Sequence, residues 1–258
     1  MRADGLRLAL TTLSVAPVRP GALAPPAPST AMALAPLVGL GLGIVTTAVL
    51  DTTRWATHYQ APLLASVLAI TALAVLTRGM HLDGLADLAD GLGYHGDAAG
   101  ALEVMRDPHV GAFGALALGL VVLVDVSALS ACVTTGRGSV SLISAVMTGR
   151  LAVTWSCRRG IPAARSDGLG AMVAGTVGTA VLTGVTAAVL ILAAAGAALD
   201  GRAGAPGAVR TALGVAAGLV LAELLRRHAV QRLGGITGDV LGALVEVATA
   251  AVLVVCAL

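Results

Sequence analysis

The sequence predicts an all-α fold, a multi-pass bundle of about six to eight membrane segments, and three observations lead to this class. First, the 258 residues are 57% hydrophobic and only 12% charged, whereas about 25% is typical of soluble domains. Second, apolar runs of about 20 residues, the length that crosses a bilayer, recur along the chain. Third, arginine is distributed unevenly between the connections of these runs. These features exclude a soluble globular domain, a disordered tail and a nucleic-acid-binding protein.

The apolar runs define the elements in order. Residues 1–18 combine two arginines with a short apolar stretch, which predicts an interfacial helix retained in the mature chain. Seven runs follow, roughly at 31–50, 61–77, 111–134, 139–157, 171–199, 208–225 and 237–257. Glycines within them, such as Gly39, Gly41 and Gly43, favour close helix packing. No internal repeat is visible, so we interpret residues 1–258 as one integral-membrane domain.

The arginine distribution predicts the orientation. If all seven runs cross, eleven arginines fall on the side of the N-terminus and four on the other side. The arginine-rich side of a membrane protein faces the cytoplasm. We therefore expect an integral protein of the cytoplasmic membrane, with residues 78–110 on the cytoplasmic side.

An acidic cluster follows the second run. Asp83, Asp87 and Asp90 are spaced i, i+4, i+7, so a helix places all three on one face. No basic residue interleaves to relieve their repulsion, and carboxylate oxygens suit Mg²⁺ or Mn²⁺. The alternative is a solvated acidic helix face between two spans. The compact Asp-Gly pattern, in a chain so poor in charge, favours a metal site.

Two further stretches contain groups suited to phosphate chemistry. Glu103 and Asp107 are four residues apart, and Arg106 between them can contact a phosphate with two parallel hydrogen bonds. The glycine-containing loop 91–100 would let this stretch fold back on the acidic cluster. Farther along, the glycine-rich residues 233–243 precede a helix start that Thr237 or Asp239 can cap. Backbone N–H groups at such a start can bind an anion.

Together these stretches resemble the cobalamin synthase family, the adenosylcobinamide-GDP ribazoletransferases. The family's motif blocks match the segments His81–Gly91, Glu103–Gly114 and Gly234–Ala243, and shorter blocks match Pro36–Gly43 and Ala164–Gly170. The matches run in order from about residue 33 to residue 243. One departure is Asp125, which stands inside an apolar run where many relatives have Lys.

The resemblance implies a Mg²⁺-dependent, membrane-bound transferase in the last steps of vitamin B12 synthesis. The family joins adenosylcobinamide-GDP to α-ribazole or its 5′-phosphate and releases GMP. The expected partners are these two substrates, the lipid bilayer and other enzymes of the corrinoid pathway, without nucleic acid. The sequence does not specify an oligomeric state.

The residue roles follow from this chemistry. By analogy with CDP-alcohol phosphotransferases, Asp90 is the candidate base for the attacking hydroxyl. Arg150 lies inside an apolar run, where a charge requires a carboxylate or a phosphate as partner. We predict catalytic roles for His81, Asp83, Asp87 and Asp90, metal ligation by Asp83, Asp87, Asp90 and Asp107, and substrate contacts by Arg106, Arg150, Arg165, Thr237 and Asp239.

Two alternatives share part of this pattern. A CDP-alcohol phosphotransferase also uses an acidic cluster and Mg²⁺, but its signature has Arg after Ala where Asp87 follows Ala86 here. A cation-coupled transporter would bury its acids within spans and often shows repeat symmetry. Here the largest group of acids, six of the fourteen, lies in the connection after the second run.

Overall fold

The computed structural model describes residues 2–19, 26–199 and 204–258, and over these residues the chain is helical and contains no strand. This confirms the all-α prediction, including the helix expected at the N-terminus. The eleven helices of the described residues are α1 (Arg2–Leu13), α2 (Ala27–Ala56), α3 (Pro62–Leu76), α4 (Met80–Gly93), α5 (Ala98–Val104), α6 (Ala112–Thr134), α7 (Gly138–Ser156), α8 (Gly168–Val173), α9 (Thr179–Leu199), α10 (Gly204–Leu233) and α11 (Gly238–Ala257).

Five of these helices are long and apolar enough to cross a membrane, namely α2, α6, α9, α10 and α11. The pair α3 and α4 passes the same test together, although an 86° bend separates its two halves. The described residues thus provide five spans, or six when the bent pair counts as one, which meets the predicted six to eight at its lower limit. The fourth predicted run, α7, is not among them because serine, threonine and Arg150 interrupt its apolar sequence.

Helix α7 instead lies in the centre of the bundle, where most of its residues are buried. It packs most extensively against α2 and α11. Two glycines of α2 permit this approach, since a Cβ atom at Gly39 would lie 2.8 Å from the Val146 carbonyl oxygen and one at Gly43 would lie 3.0 Å from the Ile143 Cα. Gly41, between them, faces open space. The predicted close packing is therefore confirmed at Gly39 and Gly43 and wrong at Gly41.

A sharp turn between α3 and α4 sets the position of the acidic helix. Arg78 and Gly79 both adopt left-handed backbone conformations, with φ of 55° and 67°. The Gly79 N–H donates to the Ala74 carbonyl at 2.8 Å, which ends α3 in the manner typical of a left-handed cap. Consequently α4 leaves α3 at 86° and packs against α11 and α6 at one end of the bundle.

Candidate active site

The acidic helix α4 lies directly on the start of α11, and glycines on both helices make this contact possible. A Cβ atom at Gly84 would lie 2.8 Å from the Asp239 carbonyl oxygen, and one at Gly242 would lie 3.2 Å from the His81 Cα. Thr237 caps α11, because its hydroxyl accepts the Val240 N–H at 3.2 Å and donates to Asp239 Oδ2 at 3.1 Å. Two motif segments far apart in sequence therefore meet here.

We call the contact between α4 and the start of α11 the acidic junction, and a third segment, residues 162–164, packs against it. Residues 162–164 run parallel to 235–237, with the Ala164 N–H donating to the Ile236 carbonyl at 3.0 Å and the Ile236 N–H to the Pro162 carbonyl at 2.9 Å. Gly170 also lies against Ile236 and Thr237, closer than any larger residue could approach. This docking brings Arg165 to the junction.

Three carboxylates converge at this junction. Asp83 is exposed and Asp87 is half-buried on the same face of α4, as the spacing predicts. Asp239 of α11 adds a third negative charge, and it acts on Asp87 together with Asp83 and Asp90. Within the described residues, the Asp83 and Asp87 carboxylates have neither a hydrogen bond nor an ion pair. Their charges are therefore free to bind a cation.

Asp90 has a different environment although it shares the face of α4. Its Oδ2 accepts the Gly111 N–H at 2.7 Å, and its Oδ1 accepts the Gly114 N–H at 2.9 Å. These N–H groups belong to the start of α6, where an acceptor also complements the helix dipole. A side chain at either glycine would collide with the carboxylate. Asp90 therefore ties α4 to α6, a role that the sequence did not reveal.

Asp107 is not among the charges that act on Asp87, although it lines a wide pocket together with Asp90. It is exposed on the segment between α5 and α6 and pairs with His109, whose Nδ1 is 2.8 Å from Asp107 Oδ1. The hydrogen bonds from the His109 backbone N–H and ring hold the pKa of Asp107 below its ordinary value. The fold thus places Asp239, rather than Asp107, beside Asp83 and Asp87.

The donor set suits a magnesium ion held jointly by protein and substrate. Across the part of the chain that the structure describes, no three His, Cys, Asp or Glu side chains converge tightly enough to enclose a metal ion. Mg²⁺ does not require such a cage, since it is usually bound through one or two carboxylates, water and substrate phosphates. The unpartnered carboxylates of Asp83 and Asp87 fit this mode of binding.

Arg150 and His81 form a buried pair behind the acids. Arg150 is 1% exposed and donates to the Val146 carbonyl and to His81 Nδ1, each at 3.4 Å. A guanidinium only donates, so Nδ1 accepts and the ring proton resides on Nε2. The Nε2 atom is buried and has no partner among the described residues. The negative charge of Glu246 acts on Arg150 from α11. In this structure Arg150 contacts His81 and the Val146 carbonyl, and a contact of Arg150 with substrate stays a prediction.

The other predicted arginines face an open groove of about 700 Å³ between α5 and the 163–168 segment. Arg165 donates to the Leu102 carbonyl at 2.7 Å, and its Nη1 lies 3.9 Å from Asp239 Oδ2. Arg106 pairs with Asp167 at 3.3 Å, and both side chains are more than half exposed. The groove therefore offers two cations beside the acidic junction.

A smaller cavity of about 220 Å³ lies on the other side of the acids. Thr12, His81, Asp83 and Asp239 form its polar part. The rest is mainly apolar and comes from α1, α2, α4, α7, α8 and α11: Leu13, Met32, Met80, Val153, Leu169 and Leu241. The acidic junction is thus flanked by an apolar cavity and by an arginine-lined groove.

Comparisons with known proteins give a consistent result. Residues 5–257 match the family model described as "Cobalamin-5-phosphate synthase". The chain is 46% identical to the adenosylcobinamide-GDP ribazoletransferase of Frankia casuarinae, over 98% of this chain and 94% of the relative. It is 40% identical to the protein of the same name from a Nocardioides species, over 97% and 96%, and 36% identical to that of Corynebacterium efficiens, over 98% and 91%. No solved structure matches the chain.

Proposed function

This chain belongs to the Cobalamin-5-phosphate synthase family, and we propose that its acidic junction joins adenosylcobinamide-GDP to α-ribazole, or to α-ribazole 5′-phosphate. The protein is a transferase of cobalamin synthesis, and GMP is the second product. The observation that carries the assignment to this site is the meeting of Asp83 and Asp87 with Asp239, between an arginine-lined groove and an apolar cavity.

The reaction is a phosphoryl transfer. A ribose hydroxyl oxygen of α-ribazole forms a bond to the cobinamide-side phosphorus, the bond from that phosphorus to the GMP oxygen breaks, and the hydroxyl proton leaves. Catalysis of such transfers consists mainly of positioning and charge stabilisation. We assign Arg106 and Arg165 to the phosphates of the GMP part, since both line the groove and a guanidinium matches phosphate geometry.

We propose that Asp83 and Asp87 hold Mg²⁺ together with water and the substrate phosphates, and that Asp239, rather than the Asp107 of the sequence-based prediction, is the third acid beside them. When bound there, Mg²⁺ would neutralise the pyrophosphate oxygens and orient them. The carboxylates have capacity for this because Asp83 and Asp87 lack protein partners in the described chain. Asp107, which is tied to His109, becomes a residue of the groove wall.

The structure favours a positioning role for Asp90 over the predicted role as base. Both of its oxygens accept backbone N–H groups from the start of α6, so the carboxylate is already engaged in holding two helices together. A loose phosphoryl-transfer transition state needs little prior deprotonation of the attacking hydroxyl. We therefore propose that the proton leaves to water and that Asp90 keeps α4 in register with α6.

We also propose that the junction faces the cytoplasm. Arg165 lies at the junction and Arg106 lines the adjoining groove, while Arg232 donates to the Tyr94 carbonyl just after α4. The end with this excess of arginine is the cytoplasmic end of a membrane protein. Charged nucleotide substrates then reach the groove from water.

The test is an assay of the purified protein in lipid nanodiscs with adenosylcobinamide-GDP, α-ribazole and Mg²⁺. GMP and the corrinoid product are expected in equal amounts, to disappear with EDTA and to return with excess Mg²⁺. Product formation that resists EDTA would overturn the metal assignment. A folded protein that forms no product would overturn the function, and CDP-linked alcohol substrates would be tested next.

A further inference from the structure

The two spaces beside the acids differ in chemistry. Arginine is absent from the described lining of the 220 Å³ cavity, whose wall is mainly apolar and includes residues of α1. The 700 Å³ groove is more open, and its charged lining residues are Arg106 and Arg165 together with the acids Glu103 and Asp107. The two substrates differ in the same way, since one brings a pyrophosphate and the other brings a neutral aromatic base on a ribose.

We infer that the inner cavity binds the aromatic base of α-ribazole, a step that rests on the proposed function. The cavity volume is below the roughly 300 Å³ of the smallest complete ligand pockets, so it suits one bicyclic ring system and excludes a corrin macrocycle. Its walls supply apolar contact from Met32, Val153 and Leu241. A base seated there places its ribose at the rim formed by Asp83 and Asp239.

The buried histidine provides the one directional contact that this base requires. A benzimidazole joined to ribose through one nitrogen keeps a single acceptor, its second ring nitrogen, and has no N–H donor. His81 is 4% exposed, lines the cavity and has an Nε2–H without a partner among the described residues. Arg150 holds the ring in this tautomer through Nδ1. His81 therefore has an unused donor in the cavity wall, and we expect the acceptor nitrogen to engage it when the base binds.

Guanosine fits the same cavity poorly. Its purine edge has several donors and acceptors, and burying them against apolar walls leaves them unsatisfied, which is costly. This consideration directs the guanosine to the groove that contains Arg106 and Arg165.

The first test places a larger side chain on α1, where it would fill the cavity. Thr12 is half-buried on α1 and lines the cavity, whereas Leu6 is 39% exposed on the same helix. We expect Thr12→Phe to weaken α-ribazole binding at least tenfold in calorimetry, to raise its KM similarly and to leave the KM of adenosylcobinamide-GDP unchanged. The control Leu6→Phe should change neither. A rise in the KM of adenosylcobinamide-GDP instead would place guanosine in the cavity, and unchanged α-ribazole binding would show that the base lies elsewhere.

The second test removes the acceptor from the ligand and the donor from the protein. We expect the wild-type protein to bind α-ribazole about tenfold more tightly than the matching riboside of dimethylindole, which lacks the ring nitrogen. His81→Phe should bind both equally. Persistent discrimination in His81→Phe would overturn the assignment. Because calorimetry measures binding of one substrate alone, failure of the turnover reaction and failure of this inference are separate results.

Discussion

The two halves of α4 have the same residue type on the same face and yet differ in environment. In the first half, Asp83 and Asp87 have no hydrogen-bond partner among the described residues and lie against the start of α11. In the second half, Asp90 accepts two N–H groups from the start of α6. One half is arranged to bind something absent from the chain itself, and the other half holds two helices together.

This difference shows that helical spacing identifies a shared face but does not assign its functions. A carboxylate beside a free helix start becomes a cap, because the first N–H groups of a helix lack internal acceptors. A carboxylate beside other carboxylates remains available for a cation. The neighbouring helix therefore determines the role, and each role predicts a distinct response to an isosteric Asp→Asn change.

The largest expected effect is on catalysis by the first half of α4, which carries Asp83 and Asp87. Asp87→Asn should lower kcat at least about 1,000-fold, a loss of roughly 4 kcal/mol of transition-state stabilisation. The midpoint of its thermal unfolding should be equal to or higher than that of the wild type, because the change removes one of the three repelling charges of the acidic junction. Nanodisc assays and thermal unfolding measure the two effects.

Asp51→Asn is the matched control and should keep full activity, because Asp51 lies near the C-terminal end of α2, where it pairs with Arg54. Activity of Asp87→Asn near the wild-type level would exclude this acid from the site.

An intermediate effect on activity and stability is expected for the second half of α4, which carries Asp90. Asp90→Asn retains one good acceptor for the two N–H groups of Gly111 and Gly114. A buried donor that loses its acceptor costs about 1–3 kcal/mol of stability, so the variant should unfold at a lower temperature than the wild type. Activity should fall about tenfold through misplacement of α4. If Asp90→Asn were as inactive as Asp87→Asn with an unchanged thermal midpoint, Asp90 would act in the chemistry after all.

The smallest effect is expected in the groove. Arg106 and Asp167 form an exposed pair, so Arg106→Ala should change stability by about 0.5 kcal/mol or less. It should raise the KM of adenosylcobinamide-GDP several-fold and leave the KM of α-ribazole unaltered. Asp167→Asn provides the comparison, because it frees Arg106 and should not raise either KM. Equal KM increases for both substrates in Arg106→Ala would contradict the separation of the two spaces.

Much of this architecture was predictable because it depends on local pattern. Hydrophobic runs predicted the long helices, the i, i+4, i+7 spacing predicted the shared face of α4, and Thr237 was one of the two caps predicted for α11. The number of spans was less predictable, since α7 is buried by other helices and tolerates Arg150 in its interior.

The composition of the acidic junction depends on long-range packing, which spacing does not encode. Asp239 was predicted to contact substrate, yet Gly84 and Gly242 bring its carboxylate beside Asp83 and Asp87. Asp107, only 17 residues beyond Asp90, is instead retained by His109 on an exposed turn. The contact between α4 and α11 was partly predictable. Both motif blocks contain a glycine inside a helix, Gly84 and Gly242, where helix formation alone does not favour glycine.

The glycine contact between α4 and α11 also has a consequence for how the protein is made. The ribosome delivers the α4 carboxylates to the membrane well before Asp239, which opens the final helix of the described chain. Until α11 inserts and presses against Gly84, the junction lacks its third acid and one wall of the inner cavity. We therefore expect a chain truncated before α11 to be inactive, because it would lack Asp239 and one wall of the inner cavity.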